Sequence, residues 1–158
     1  MTDILQGLVE LHRHGQVLEI RMVKPKVNSI CRRMSAALFH AAMHLQNDPD
    51  LRVGLLTSGN DRSFSAGLDF NEAGEDFEAP SEGGFGGITR LWALKKPMIA
   101  AINAPAVGGG LELALACESG NDEAFAKHVE SLHLSNHQVN WAHLQALAWA
   151  DTLTEMDI

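Results

Sequence analysis

The period of the apolar positions changes several times along the chain. Residues 8–23, "LVELHRHGQVLEIRMV", alternate apolar and polar on both sides of His14–Gly15, which predicts a β-hairpin with its turn there. "KPKVNSI" follows and breaks the strand at Pro25. In "RRMSAALFHAAMHLQ" the apolar residues Met34, Leu38, Ala41, Ala42 and Leu45 recur at helical spacing, and "NDPD" ends that helix. "RVGLLTS" reads as a short buried strand and "GNDRSFSAGLDF" as the loop after it. "NEAGEDFEAPSEGGFGG" is acidic and glycine-rich, so mobile surface is expected. "ITRLWAL" is a short helix candidate, residues 98–103 a buried strand, and "LELALAC" a helix after a glycine turn. Strands alternating with helices predict an α/β fold with mostly parallel pairing.

The pattern changes after Glu118. Two helical stretches follow, one over 124–134 and one carrying Trp141, Leu144, Leu147 and Ala148, with no strand signal. The chain therefore divides into a core, 1–118, and a helical tail, 119–158, that does not continue the βα alternation.

Composition narrows the function classes. The chain has 158 residues and a formal charge of −8, which argues against nucleic-acid binding because phosphate backbones demand clustered Lys and Arg. Cys31 and Cys117 are too far apart for a CxxC pair, so neither a disulfide framework nor a zinc site is expected. His40 and His44, like His133 and His137, lie four apart on helical patterns, but neither pair has a third ligand, and no metal is expected. No leader pattern or membrane-length apolar run is present, so a cytoplasmic protein is expected.

The chemistry-bearing stretch is "AVGGGLELALAC". Glycines let a ligand approach the main chain, and a helix N-terminus presents free N–H groups with partial positive charge. Gly108, Gly109 and Gly110 would thus suit a developing enolate, with Glu112 about one turn into the helix as a proton carrier. The alternative is tight helix–sheet packing, with an acid in the first turn favoured by the helix dipole alone. A second small-residue loop, "SFSAGLDF", also follows a buried strand. Two such loops could converge at the C-terminal edge of the sheet, where α/β folds bind ligands. An ordinary tight βα connection is the alternative there.

Taken together, "KPKVNSI", "SFSAGLDF" and "KPMIAAINAPAVGGGLELALAC" resemble, in order and spacing, the enoyl-CoA hydratase/isomerase (crotonase) superfamily, over about residues 8–118. "GGFGGIT" and "GGGLELALA" lean towards its carnitinyl-CoA (crotonobetainyl-CoA) dehydratase branch. The resemblance implies a crotonase-like spiral of ββα units, here its N-terminal part only, and trimeric assembly. It implies acyl-CoA thioester substrates, with coenzyme A part of the substrate and no separate cofactor. It places the oxyanion-hole donors on the N–H groups of Ala66 and Gly109, each worth on the order of 3 kcal/mol in the transition state. The first catalytic glutamate falls on Glu112. Contacts to coenzyme A fall on Lys26, Val27, Ser65, Ala66, Gly67, Leu68, Asp69 and Gly108, and Lys24 with Lys26 would meet its phosphates. Solvated lysines are the alternative for that pair.

The chain departs from the family at the second glutamate, which relatives carry in a P-E-x-x-x-G setting. That motif is absent, and the nearest acid is Glu130 in "KHVESLHL". Three functions follow: hydration or dehydration of a 2-enoyl-CoA, a fragment that binds coenzyme A or a partner without turnover, and another reaction of the family such as isomerisation or thioester hydrolysis.

Overall fold

The computed structural model describes residues 7–71 and 83–117. Strands β1 (Val9–His14) and β2 (Val17–Met22) form the expected hairpin, with His14 opposite Val17. The turn is one residue later than the alternation suggested, on Gly15 and Gln16. A two-residue hairpin loop takes a positive φ at its first central position, and Gly15 supplies it at +61°.

Helix α1 (Arg32–Asn47) follows β2. The Cys31 sulfur caps its start by accepting from the Met34 N–H at 3.4 Å. At its end the Asp48 N–H donates to the His44 carbonyl, and the Lys96 ammonium donates to the carbonyls of Leu45 at 2.9 Å and Asp48 at 2.5 Å. Strands β3 (Val53–Ser58) and β4 (Met98–Ala101) complete one sheet of order β1-β2-β3-β4. The first pair is antiparallel and the other two are parallel, as the βα alternation implied. Helix α2 (Gly109–Ala116) closes the described chain.

One face of the sheet carries Leu18, Ile20, Met22, Leu56, Met98 and Ala100, which pack in one cluster with Met34, Leu38, Ala41 and Leu45 of α1. The other face carries Val17, Val53, Leu55, Ile99 and Ala101. All six residues of β3 are buried, which explains why "VGLLTS" lacks the polar alternation of β1.

Two elements differ from expectation. "ITRLWAL" forms successive turns after a short 3-10 segment at Phe85–Gly87, with Arg90 N–H donating to Gly83 O and Leu94 N–H to Leu91 O. Seven residues between a glycine-rich stretch and Pro97 are too few to sustain a helix without a packed stripe. Strand β4 ends at Ala101 rather than Asn103, because β3 ends at Ser58 and the Asn103 amide turns to donate to the Ser58 carbonyl at 3.1 Å. Glu130, His133, His137 and the two helices expected within 119–158 lie outside the described residues, as does most of the acidic stretch.

Candidate active site

The two small-residue loops meet. Ser65 bridges Ala106 in parallel, with the Val107 N–H donating to Ser65 O at 3.0 Å. A side chain on Gly110 would overlap the Ser65 carbonyl, and one on Gly109 would overlap the Phe85 ring. Gly67, at φ +81°, lies so close that a Cβ there would stand 2.6 Å from the Gly109 nitrogen. The packing explanation for the glycines is therefore correct for Gly109 and Gly110. It leaves the Gly109 N–H, at the first position of α2, without a protein acceptor among the described residues.

The expectation for Ala66 is not met. Its N–H donates to the Val27 carbonyl at 3.0 Å and is closed to a ligand. The open amide on this loop belongs to Leu68. Gly67 O accepts from the Ile30 N–H at 2.6 Å and the Asp69 N–H donates to Ile30 O at 3.0 Å. In such a parallel bridge the intervening residue turns its own N–H away from the paired segment. Leu68 is half-buried, and no described residue accepts from it. "SAGLD" alone could not separate two candidate amides two residues apart; the signal was Gly67, whose left-handed φ redirects the chain between them.

The remaining expected contact residues divide into buried braces and exposed positions. Ser65 is fully buried, and its hydroxyl donates to Asn28 O at 2.8 Å and accepts from the Gly67 N–H at 3.1 Å. Asp69 is buried against Lys24, whose ammonium is 2.6 Å from Oδ2, and Ser29, whose hydroxyl donates to the same oxygen at 2.8 Å. The Lys24 and Ser29 hydrogen bonds hold the Asp69 carboxyl down at about 2. Lys24 is thereby drawn to a protein carboxylate rather than presented to a phosphate. Lys26, Val27, Ala66 and Gly108 are exposed.

Glu112 stands in the first turn of α2, exposed. It lines an open cleft of about 480 Å³ with Gly84, Phe85, Thr89, Arg90, Leu115 and Ala116; among the described residues that line it, Glu112 is the carboxylate and Arg90 the cation. Leu68 and Gly109 are not among the residues that line this cleft, but Phe85, which lines it, packs over Gly109, so the cleft adjoins the loop that carries the Gly109 amide. Among the described residues no three of His, Cys, Asp and Glu converge on a common point, and no helix is long and apolar enough to cross a membrane.

Comparison with known proteins finds similarity over the described part of the chain. Residues 12–122 match the family of enoyl-CoA hydratases/isomerases. The carnitinyl-CoA dehydratase of Salmonella enteritidis PT4 is 45% identical over 114 residues, which cover 70% of this chain and 43% of that protein. The crystal structure of enoyl-CoA hydratase from Mycobacterium tuberculosis H37Rv superposes with a TM-score of 0.63 at 34% identity, over 72% of this chain and 44% of that one. A carnitinyl-CoA dehydratase from Mycobacterium avium 104 gives a TM-score of 0.62 at 37% identity, over 70% and 43%. The chain thus spans less than half the length of the relatives it matches.

Proposed function

The chain belongs to the enoyl-CoA hydratase/isomerase family, and from that premise we propose that it binds an acyl-CoA thioester and adds or removes water across a 2-enoyl-CoA. Crotonobetainyl-CoA, the dehydration product of carnitinyl-CoA, is the thioester that the named relatives favour. The observation that carries the reading is a pair of open main-chain amides, Leu68 and Gly109, on two loops in direct contact beside the helix that bears Glu112. Both amides would donate to the thioester oxygen and stabilise the enolate as negative charge develops on it. Glu112 would take a proton from water as the water oxygen bonds to C3, and the Glu112 carboxyl would then give that proton to C2 as the enolate collapses, which returns it to the carboxylate. Because the donors are main-chain groups held by packed glycines, they would need no reorganisation during the reaction. The relatives' named activities favour this reading over a module that only binds coenzyme A.

The test is the loss of enoyl-thioester absorbance with crotonyl-CoA and crotonobetainyl-CoA. Glu112→Gln is isosteric and removes the proton acceptor, so kcat is expected to fall by about 10²- to 10⁴-fold with KM little changed. Equal rates in wild type and variant would overturn the assignment of Glu112. No turnover by wild type, beside measurable binding of the thioester, would overturn the hydratase reading in favour of binding alone.

A further inference from the structure

The segment between β2 and α1 is strained. Lys26 has φ +74° and Asn28 φ +47°, and neither is glycine. Such conformations persist only where the surroundings over-determine them. Here one carboxylate oxygen grips the segment on both sides of the strained residues: Asp69 Oδ2 accepts from Lys24 Nζ at 2.6 Å and from Ser29 Oγ at 2.8 Å. The other oxygen accepts from the Asn71 N–H at 3.0 Å, which closes the turn after it. The side chains of Lys24 and Asp69 are only 14% and 9% exposed. This separates them from surface ion pairs, whose geometry is loose and whose contribution is small.

We propose that Lys24, Asp69 and Ser29 form a clasp that positions the Leu68 amide for the thioester oxygen. Asp69 is the residue next to Leu68. With its carboxylate and its N–H both held to the 24–31 segment, and Gly67 O held to Ile30, the Leu68 N–H is fixed facing away from that segment. The clasp residues do not touch substrate; they act through the amide. The inference rests on the reading of that amide as an oxyanion donor. It also gives Lys24 and Asp69 a role other than coenzyme A contact.

A conjugated thioester such as 4-dimethylaminocinnamoyl-CoA tests it, because its absorbance moves to longer wavelength when the carbonyl accepts hydrogen bonds. Wild type is expected to bind it with a red shift. Asp69→Asn is expected to bind within about threefold of wild type, yet lose half or more of the shift and about tenfold in kcat. Ser29→Ala, a milder change that keeps the ion pair, is expected to lose less of both. Lys24→Arg keeps a charged donor and is expected to restore most of the shift that Lys24→Met removes. A full shift and unchanged kcat in Asp69→Asn would overturn the clasp and leave the oxyanion reading intact. So would a loss of affinity as large as the loss of kcat, which marks general disruption. Binding by wild type with no shift at all would overturn the oxyanion reading and the clasp with it.

Discussion

Gly67→Ala is the sharpest test of the contact between the two loops. The new Cβ would stand 2.6 Å from Gly109 N, 2.9 Å from Val107 O and 3.2 Å from Gly109 Cα. All three atoms belong to main chain, so no side chain can swing aside, and the loops must part by the better part of an ångström. Overpacking of this kind costs about 1–3 kcal/mol. Holding alanine at φ +81° adds about 1–2 kcal/mol. The expected destabilisation is therefore about 2–5 kcal/mol, a large share of the roughly 5–15 kcal/mol of a domain. Gly15→Ala is the control: its φ is +61° but nothing lies within 4 Å of a Cβ there, so only the conformational part applies. The displaced atoms include the nitrogen of the Gly109 amide itself. A shift approaching 1 Å at a reacting centre costs about 10²-fold in rate. Urea unfolding of both variants, with kcat measured where each is fully folded, separates the two effects. The reasoning fails if Gly67→Ala is no less stable than Gly15→Ala. Its catalytic half fails if the destabilised variant turns over at the wild-type rate.

Two further predictions concern stability. Asp69 has its carboxyl held at about 2 in the folded chain, chiefly by the Lys24 hydrogen bond, against about 3.9 when unfolded. A depressed folded value stabilises above the unfolded one, so on the order of 2 kcal/mol is present above about pH 4 and is lost as pH falls towards 2. The difference in urea midpoint between wild type and Asp69→Asn should shrink over that window, and a constant difference would refute it. Lys96→Met removes the donors to Leu45 O and Asp48 O at the end of α1; it should cost about 1–2 kcal/mol and speed amide exchange in the last helical turn, and unchanged exchange there would contradict that cap.

The elements were legible wherever one face decides the pattern. The alternation of β1, the 3.6 spacing in α1 and the unbroken apolar run of β3 each follow from what the segment packs against. "ITRLWAL" misled because its apolar spacing suits a helix while its flanks forbid one. The site was legible to the level of the loop and not of the atom. That Gly109 opens a helix with Glu112 in its first turn follows from the glycine run. That the Leu68 amide and not the Ala66 amide is open depends on which N–H the Val27 carbonyl takes, a tertiary hydrogen bond that no local pattern records. The same holds for Lys24 and Asp69, forty-five residues apart in sequence and joined at 2.6 Å. Their juxtaposition is set by the bridge between Ile30 and Leu68.

If the proposed amides act on a thioester, exposure to water, more than the number of donors, would limit what they achieve. Hydrogen bonds to an enolate gain strength where the surroundings are apolar and dry, since the same charge separation is worth several times more at low effective dielectric than in bulk water. Here Val107 and Leu115 are each 59% exposed and Leu111 45%, on the loop and helix that carry the Gly109 amide and Glu112. Glu112 itself faces an open cleft. The amides can be well placed and still act in a solvated setting, where each donor delivers less than the on the order of 3 kcal/mol seen in closed sites. Added cosolvent should separate the two limits. If exposure to water is what restrains the rate, lowering water activity with an excluded osmolyte should increase the red shift of a bound conjugated thioester without changing its affinity in proportion. A shift that does not respond would place the limit in the geometry of the donors instead.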